Sequence, residues 1–226
     1  MNFRPGPDPL FPRLGENDRF SFPPPQEWDG SVVAVGGNLS PGMLLSAYEQ
    51  GIFPWYNPED PVIWQSPDPR MVIFPEDLHI SRSMRKILEE GKFEITFNKD
   101  FAAVIRGCAE QYRPKQGGTW ISADIIAAYT ELHGLGRAIS AEAYLNGELA
   151  GGCYGIRLKR AFFGESMFAR KPNASKAAFL TLARKLFAEG AAFIDCQVPS
   201  PHLRSLGGKE ISRGEFLCLL KEMMQC

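Results

Sequence analysis

The sequence lacks paired cysteines, an excess of charge of one sign and any long apolar run. Its 5 cysteines are widely spaced and form no Cys-x-x-Cys pair, which argues against a disulfide framework or a zinc site and favours a reducing cytoplasm. The formal net charge is -1, so an anionic partner has to be met by a local cluster of Lys and Arg. No run of about eighteen apolar residues occurs, so we expect no membrane-spanning helix and no membrane partner.

The chain has ample apolar content for a buried core, with 226 residues of which 44% are hydrophobic. Residues 1–30 are rich in Pro and Gly and predict a segment that wraps around the rest of the protein. The aromatic segments 53–56 and 64–70 look too irregular for strands. Asn146-Gly147 between two alternating apolar stretches predicts a β-hairpin.

These patterns predict an α+β protein with a small N-terminal α/β domain over residues 1–61 and a mixed-sheet domain over residues 62–226. Ser175, with or without help from Asn173, is predicted to cap a helix. The predicted helices cover 41–50, 81–90, 101–112, 122–134, 175–188 and 212–223, and the predicted strands cover 31–35, 72–75, 93–97, 138–145, 148–158, 161–168 and 192–198.

Three polar side chains fall inside apolar strands, where a buried polar group usually needs a partner. They are Glu165, Asp195 and Gln197. Residues two apart on a strand share a face, which predicts that Asp195 and Gln197 point into one cavity and that Glu165 shares its face with Phe163 and Met167. Two alternatives stay open, namely that the Asp195 and Gln197 pair only satisfies backbone groups, and that Glu165 faces solvent at a strand end or bulge.

A basic cluster lies on the predicted helix 81–90, where Arg82, Arg85 and Lys86 are spaced three or four residues apart and so share one helix face. Such a face could bind phosphate groups. The alternative, which is more common for three charges on a helix, is that the face is simply exposed to solvent.

Seven motifs run from residue 34 to residue 197, and the similarity around them extends over nearly the whole chain. Together they resemble the leucyl/phenylalanyl-tRNA–protein transferase family. The motifs are AVGGNLS at 34–40, GIFPW at 51–55, SPDPR at 66–70, TWI at 119–121, GESMF at 164–168, NASK at 173–176 and IDCQ at 194–197.

The resemblance implies a cytoplasmic bacterial aminoacyltransferase that moves Leu or Phe, and also Met, from aminoacyl-tRNA to the N-terminal Arg or Lys of an acceptor protein, marking it for degradation. It also implies a GNAT-like C-terminal domain. Because the donor is an activated ester, we expect no metal or other cofactor. We expect a monomer.

The reaction needs a neutral amine, a place for its proton and donors near the developing oxyanion. We assign Asp195 and Gln197 to catalysis, with the carboxylate orienting the Gln197 amide and Asp195 or a water taking the proton. Glu165 is assigned to the cationic acceptor. The apolar pocket for the donated side chain, or for the terminal adenine of tRNA, is assigned to Trp55, Trp120, Cys153, Met167, Phe179 and Leu182, and the tRNA phosphates to Arg82, Arg85 and Lys86.

Core packing is the alternative for Phe179 and Leu182, which recur at helical spacing. The sequence departs from the family pattern at three places. The departures at Gln65 and Cys153 concern the shape of the pocket, and the departure at the segment 199–201 concerns contacts with the acceptor. An acyl-CoA transferase is a rival interpretation, weakened because residues 169–176 contain no glycine to cradle a pyrophosphate. A non-enzymatic RNA-binding module is the second rival interpretation.

Overall fold

A small antiparallel sheet and one buried helix form the N-terminal part of this computed structural model, which describes residues 4–111 and 119–225. The strands are β1 (Val32–Val35), β2 (Phe53–Pro54) and β3 (Ile63–Gln65), in the order β1-β3-β2. Helix α1 (Pro41–Glu49) begins with a proline at its first position and ends before Gly51, whose φ of 74° suits glycine.

The Pro-rich N-terminal segment wraps around α1, as predicted, but it also packs. Backbone amides of Leu14 and Phe20 donate to the hydroxyls of Ser40 and Ser46 on α1, at 3.1 and 2.8 Å. Phe22 is buried in the core. The segment is therefore part of the folded structure and helps to fix the position of α1.

A large sheet of seven strands forms the rest, in the order β10-β4-β9-β8-β7-β6-β5. Among the described strands of this sheet, β8 and β9 pair parallel and the other neighbours pair antiparallel. The α+β class is confirmed. Its strands are β4 (Arg70–Ile73), β5 (Glu94–Phe97), β6 (Ala138–Leu145), β7 (Glu148–Leu158), β8 (Ala161–Ala169), β9 (Phe193–Gln197) and β10 (Lys209–Ile211), and its helices are α2 (Arg82–Glu89), α3 (Phe101–Glu110), α4 (Ala123–Gly134), α5 (Ala174–Ala188), α6 (Pro201–Ser205) and α7 (Arg213–Gln225).

Helices cover both faces of the large sheet. One core joins α1, α3, α4, α7 and the small sheet to the face that carries Phe163 and Phe193. The other core joins α2 and α5 to the face that carries Phe162 and Ile194. Neighbouring residues of β8 and β9 thus enter opposite cores, as the alternation of a strand requires.

The predicted elements agree closely with those observed, and the hairpin at Asn146-Gly147 is confirmed, with φ of 53° and 81° at the two turn residues. Tyr112, the predicted end of α3, lies outside the described residues. The capping prediction is wrong, because α5 begins at Ala174 and Ser175 lies inside it, while Asn173 stands before it without a side-chain cap bond. The prediction that segments 53–56 and 64–70 are too irregular for strands is wrong, because they contain β2, most of β3 and the first residue of β4. Strand β10 and helix α6 were not predicted.

A β-bulge at Glu165 and the parting of two strands create the site. In the β7–β8 ladder Tyr154 pairs with Ser166 and Gly155 with Gly164, which leaves Glu165 without a partner in the register. The parallel β8–β9 pairing ends at Phe163 and Asp195. The bulge also makes the predicted shared face wrong, since Phe163 enters one core and Met167 packs against the other.

Candidate active site

The cavity opens where β8 and β9 separate, with α5 and α6 forming its walls. Its volume is about 360 Å³, which lies in the range of small-molecule sites. Both apolar and polar side chains line it. It is lined by Cys153, Tyr154, Phe162, Gly164, Glu165, Ser166, Met167, Phe179, Cys196, Gln197, Ser200, His202 and Leu203.

The Glu165 carboxyl accepts a hydrogen bond at each oxygen. Gln197 donates from Nε2 to Oε1 at 2.9 Å, and the Tyr129 hydroxyl donates to Oε2 at 3.1 Å. Burial raises the pKa of Glu165 to about 7, although these hydrogen bonds oppose the rise. A carboxyl with this pKa changes its charge near neutral pH, as a proton acceptor for an amine should.

Two buried tyrosines extend this hydrogen-bond chain into the core. The Tyr48 hydroxyl on α1 contacts the Tyr129 hydroxyl on α4. Burial, followed by the nearby charge of Glu165, raises the pKa of both phenols well above the usual value. Both therefore stay protonated, and Tyr129 is held as a donor to Glu165. Reasoning from the sequence missed this pair, because a tyrosine that contacts a functional site and an aromatic residue of the core look the same in a helical pattern.

Asp195 does not point into the cavity with Gln197, and this prediction is wrong. Its carboxylate is fully buried and takes two hydrogen bonds from Arg70, Nε to Oδ1 at 2.8 Å and Nη2 to Oδ2 at 2.7 Å. Gln197 has a φ of 62°, which breaks the two-residue period of the strand. Asp195 Oδ1 accepts from the backbone N–H of Gln197 at 2.9 Å, whereas the Gln197 side chain turns to Glu165.

The predicted apolar residues separate into three groups. Cys153, Met167 and Phe179 line the cavity, and burial raises the pKa of the Cys153 thiol far above its usual value, so it stays protonated. Leu182 lines none of the described cavities and is 1% exposed in the core beneath α5. The two tryptophans lie in a neighbouring cavity.

That second cavity, of about 250 Å³, meets the first at Glu165 and Gln197, which line both. Trp55 and Trp120 form its aromatic wall. A third cavity of about 280 Å³ continues beyond the tryptophans and includes Gln65, whose Nε2 donates to the Trp55 carbonyl at 2.7 Å. The first and second cavities thus share the hydrogen-bonded Glu165 and Gln197, and the second and third share Trp55 and Trp120.

The short helix α6 adds cavity residues that the sequence reasoning missed. His202 lines the first cavity, and burial together with the nearby charge of Lys176 lowers its pKa. The Ser200 hydroxyl accepts the backbone N–H of Leu203 at 3.2 Å and so caps α6. The Ser-Pro pair at 200–201 is the usual start of a helix and was a signal that could have located this wall.

The basic cluster lies outside these cavities, on the exposed face of α2. Arg82, Arg85 and Lys86 are all exposed, and Lys86 lies 3.7 Å from Glu90. The opposite face of α2 buries Met84. The Ser81 hydroxyl accepts the Met84 N–H at 3.3 Å and caps the helix, so these charges stand on a fixed element.

The described residues show neither a metal site nor a membrane-spanning helix. Across residues 4–111 and 119–225 no group of three or more His, Cys, Asp or Glu is arranged to hold a metal ion. Within the same ranges no helix combines the length and apolarity needed to cross a bilayer.

Known proteins resemble this chain over most of its length. A family model described as leucyl/phenylalanyl-tRNA protein transferase matches residues 72–221, and one described as the N-terminal domain of that family matches residues 37–68. The leucyl/phenylalanyl-tRNA--protein transferase of Syntrophotalea carbinolica is 51% identical over 205 residues, 90% of this chain and 89% of the relative. That of Nitrosospira multiformis is 52% identical over 193 residues, 85% and 83% of the two chains.

Solved structures are more distant. L-PGS from Bacillus licheniformis has a TM-score of 0.44 at 12% identity, covering 70% of this chain and 65% of its own. A GCN5-related N-acetyltransferase from Kribbella flavida has a TM-score of 0.39 at 10% identity, covering 76% and 62%. Since both scores are below 0.5, the assignment depends on the sequence relatives and family models, which show that the chain belongs to the leucyl/phenylalanyl-tRNA protein transferase family.

Proposed function

We propose that this protein transfers Leu or Phe, and also Met, from aminoacyl-tRNA to the α-amine of an acceptor protein that begins with Arg or Lys. The observation that carries the proposal is the hydrogen-bonded pair of Glu165 and Gln197 where two cavities meet. An apolar side chain and the nucleoside to which it is esterified need two such adjoining spaces, with the reactive carbonyl between them. The transfer would mark the acceptor for degradation.

The first cavity would hold the donated side chain, against Cys153, Met167 and Phe179. Its volume of about 360 Å³ is sufficient for either a branched or an aromatic side chain, and the flexible Met167 can adapt to both. The terminal adenosine would occupy the second cavity, where Trp55 and Trp120 offer stacking surfaces. The ester carbonyl then lies beside Glu165 and Gln197.

In the proposed reaction the acceptor's amine nitrogen attacks the ester carbonyl carbon, a C–N bond forms, and the C–O bond to the ribose breaks. The amine loses one proton and the ribose oxygen gains one. The pKa of an α-amine is about 7.7–8.0 and that of Glu165 is about 7, so the carboxylate and a share of neutral amine are present together at cellular pH. The Glu165 carboxylate can accept a hydrogen bond from the neutral amine and take the proton that the attacking nitrogen loses. With Nε2 bound to Glu165, Gln197 keeps its carbonyl oxygen for the same amine.

Asp195 has a different role in this proposal from the one expected from the sequence. Its charge is paired with Arg70 and it lines none of the described cavities. Glu165 is therefore the better proton acceptor, and Asp195 acts by holding the backbone of Gln197. Leu182 contributes to packing beneath the pocket.

The finer partner assignments belong to the same proposal. Arg82, Arg85 and Lys86 on α2 would contact tRNA phosphates, a role supported by their exposure on a capped helix. We also propose a monomer located in the cytoplasm, which sedimentation of the purified protein and fractionation of cells would test.

The direct test is a transfer assay with tRNA charged with Leu, Phe or Met and peptides that begin with Arg, Lys or Ala. We expect Leu and Phe to label the Arg and Lys peptides at least about tenfold faster than the Ala peptide, because their first side chain carries a charge that Ala lacks and a charge-assisted hydrogen bond contributes one to a few kcal/mol to recognition. Equal labelling of the three peptides would contradict the proposed preference for an N-terminal Arg or Lys. No transfer to any of them would contradict the function itself.

A further inference from the structure

Arg70 is a fully buried cation that is hydrogen-bonded to Asp195, two residues before Gln197. It begins β4, beside β9, and is 0% exposed. Besides its two bonds to Asp195, it donates from Nη1 to the Gly51 carbonyl at 3.0 Å. Its guanidinium carbon lies 4.9 Å from the ring centre of Phe53 and 4.3 Å from that of Phe216. Two aromatic rings thus contact the guanidinium in addition to its hydrogen-bond partners.

A gain in stability does not by itself explain the buried ion pair of Arg70 and Asp195. Removing two charges from water costs several kcal/mol for each ion, and apolar residues of similar volume are often as stabilising as a buried ion pair. The two parallel bonds and the aromatic contacts offset this cost. What apolar residues could not provide is the acceptor that Asp195 offers to the backbone of Gln197.

The consequence for Gln197 follows from its backbone. A φ of 62° is left-handed, which costs a residue other than glycine on the order of 1–2 kcal/mol. The bond from its N–H to Asp195 Oδ1 helps to hold this conformation. An extended Gln197 would share the face of Asp195 and would withdraw its amide from Glu165.

The geometry points to Arg70 as a positioning residue for the transfer reaction, and this inference rests on the function proposed above. By fixing both oxygens of Asp195, Arg70 keeps Gln197 in its left-handed conformation with the side-chain amide bonded to Glu165. Its contacts with Gly51 and Phe53 hold the guanidinium itself in place.

Arg213 is a matched control within the same chain. It is 8% exposed and donates to the carbonyls of Gly30, Ser66 and Trp28, so it also joins the N-terminal part to the rest of the protein. It has no hydrogen bond to Asp195 or Gln197 in the described structure. Loss of Arg213 should reduce stability without changing the geometry of the site.

The experiment compares Arg70→Lys, Arg213→Lys, Gln197→Ala and the double variant Arg70→Lys with Gln197→Ala. It measures kcat per folded enzyme, KM for Leu-tRNA and the melting temperature. We expect Arg70→Lys to lower kcat about 10- to 100-fold, as displacement of a reacting group does, with KM changed less than about threefold. We expect Arg213→Lys to lower only the melting temperature.

The double variant distinguishes an effect of Arg70 through Gln197 from a general effect on the stability of the protein. If Arg70 acts through Gln197, Arg70→Lys should change kcat less than about threefold once Gln197 is alanine, because effects of coupled residues are not additive. Independent multiplication of the two effects would overturn the inference. So would an equal loss of kcat in the Arg70 and Arg213 variants.

An NMR measurement tests the inference without relying on transfer activity. The side-chain amide resonances of Gln197 in an NMR spectrum should move to those of an unbonded glutamine in Arg70→Lys, and unchanged resonances would overturn the inference. Arg70→Gln replaces the lysine variant if that variant does not fold. If the wild type transfers nothing, the proposed function fails, whereas a wild type that transfers and an Arg70→Lys with full kcat refute only the positioning role.

Discussion

At the scale of single residues, the site depends on carboxyl groups with opposite environments. Asp195 is paired with Arg70 and accepts a backbone N–H, and it lines none of the described cavities. Glu165 lines both cavities, accepts hydrogen bonds from Gln197 and Tyr129, and has a pKa raised by burial to about 7. Proton transfer is assigned to Glu165 because it reaches the cavities and its charge can change at the pH of a cell.

The pH dependence of transfer tests this assignment. Glu165 must be ionised to accept a proton, so kcat/KM of the wild type should rise with pH through about 7 and rise again as the acceptor amine, with a pKa of about 7.7–8.0, loses its proton. Glu165→Gln should lower kcat/KM by about 10²- to 10⁴-fold and remove the limb near 7. The measurement is kcat/KM between about pH 5.5 and 9.

The same variant provides its own folding control. The folded pKa of Glu165 lies above its unfolded value, so this group favours the folded state at low pH and that contribution is lost as pH rises through 7. Glu165→Gln should therefore melt no lower than the wild type above pH 7. A variant that is folded and keeps the wild-type pH profile would remove Glu165 from the reaction.

At the scale of elements, the bulge in β8 and the left-handed end of β9 aim the two reacting side chains, while α2 presents its cations elsewhere. The amphipathic character of α2 explains this division. Its apolar face, with Met84, packs over the core that α5 covers, and the opposite face is free for a charged partner.

A salt titration tests the role of α2. Replacing Arg82, Arg85 and Lys86 together by alanine should weaken aminoacyl-tRNA binding and reduce the slope of log K against log salt by about 2 to 3, since each phosphate contact contributes about 0.7–0.9. Measured kcat at saturating tRNA should stay near the wild-type value.

Lys221→Ala is the control for that titration. Lys221 is an exposed cation on α7, which packs on the opposite side of the large sheet from α2. It should leave the slope unchanged. An equal change of slope in this control, or none in the α2 variant, would contradict a phosphate-binding role for α2.

At the scale of the whole molecule, the two predicted domains share one core. The cluster that contains Val33, Leu44 and Trp64 of the N-terminal part also contains Tyr129 and Phe216. Strand β3 pairs with β1 and β2 although it lies beyond residue 61. The division at residue 61 stays a prediction, and this pairing favours a boundary after Gln65.

A shared core predicts cooperative unfolding. We expect a single thermal transition, with the fluorescence of the tryptophans and the far-ultraviolet circular dichroism changing together, because the N-terminal part cannot keep its core once the large sheet melts. Trp28, Trp55 and Trp64 report on the N-terminal part and Trp120 on the segment before α4. Two separated transitions would show that the parts fold independently.

The sequence by itself determined the class, most elements and the family, because these depend on local patterns. For example, Asn146-Gly147 predicted the turn of the hairpin in which β6 and β7 pair antiparallel. The motifs around Glu165 and Gln197 likewise identified the site residues as candidates without any knowledge of their geometry.

Only the tertiary structure decided which way these side chains point. A regular strand places Asp195 and Gln197 on one face, and the actual backbone does not, because Arg70, 125 residues away in sequence, fixes Asp195 and with it the turn at Gln197. Tyr48 and Tyr129 reach Glu165 from separate helices in the same way. Contacts between residues distant in sequence, together with burial, set these directions and the pKa of Glu165, and no local pattern encodes either.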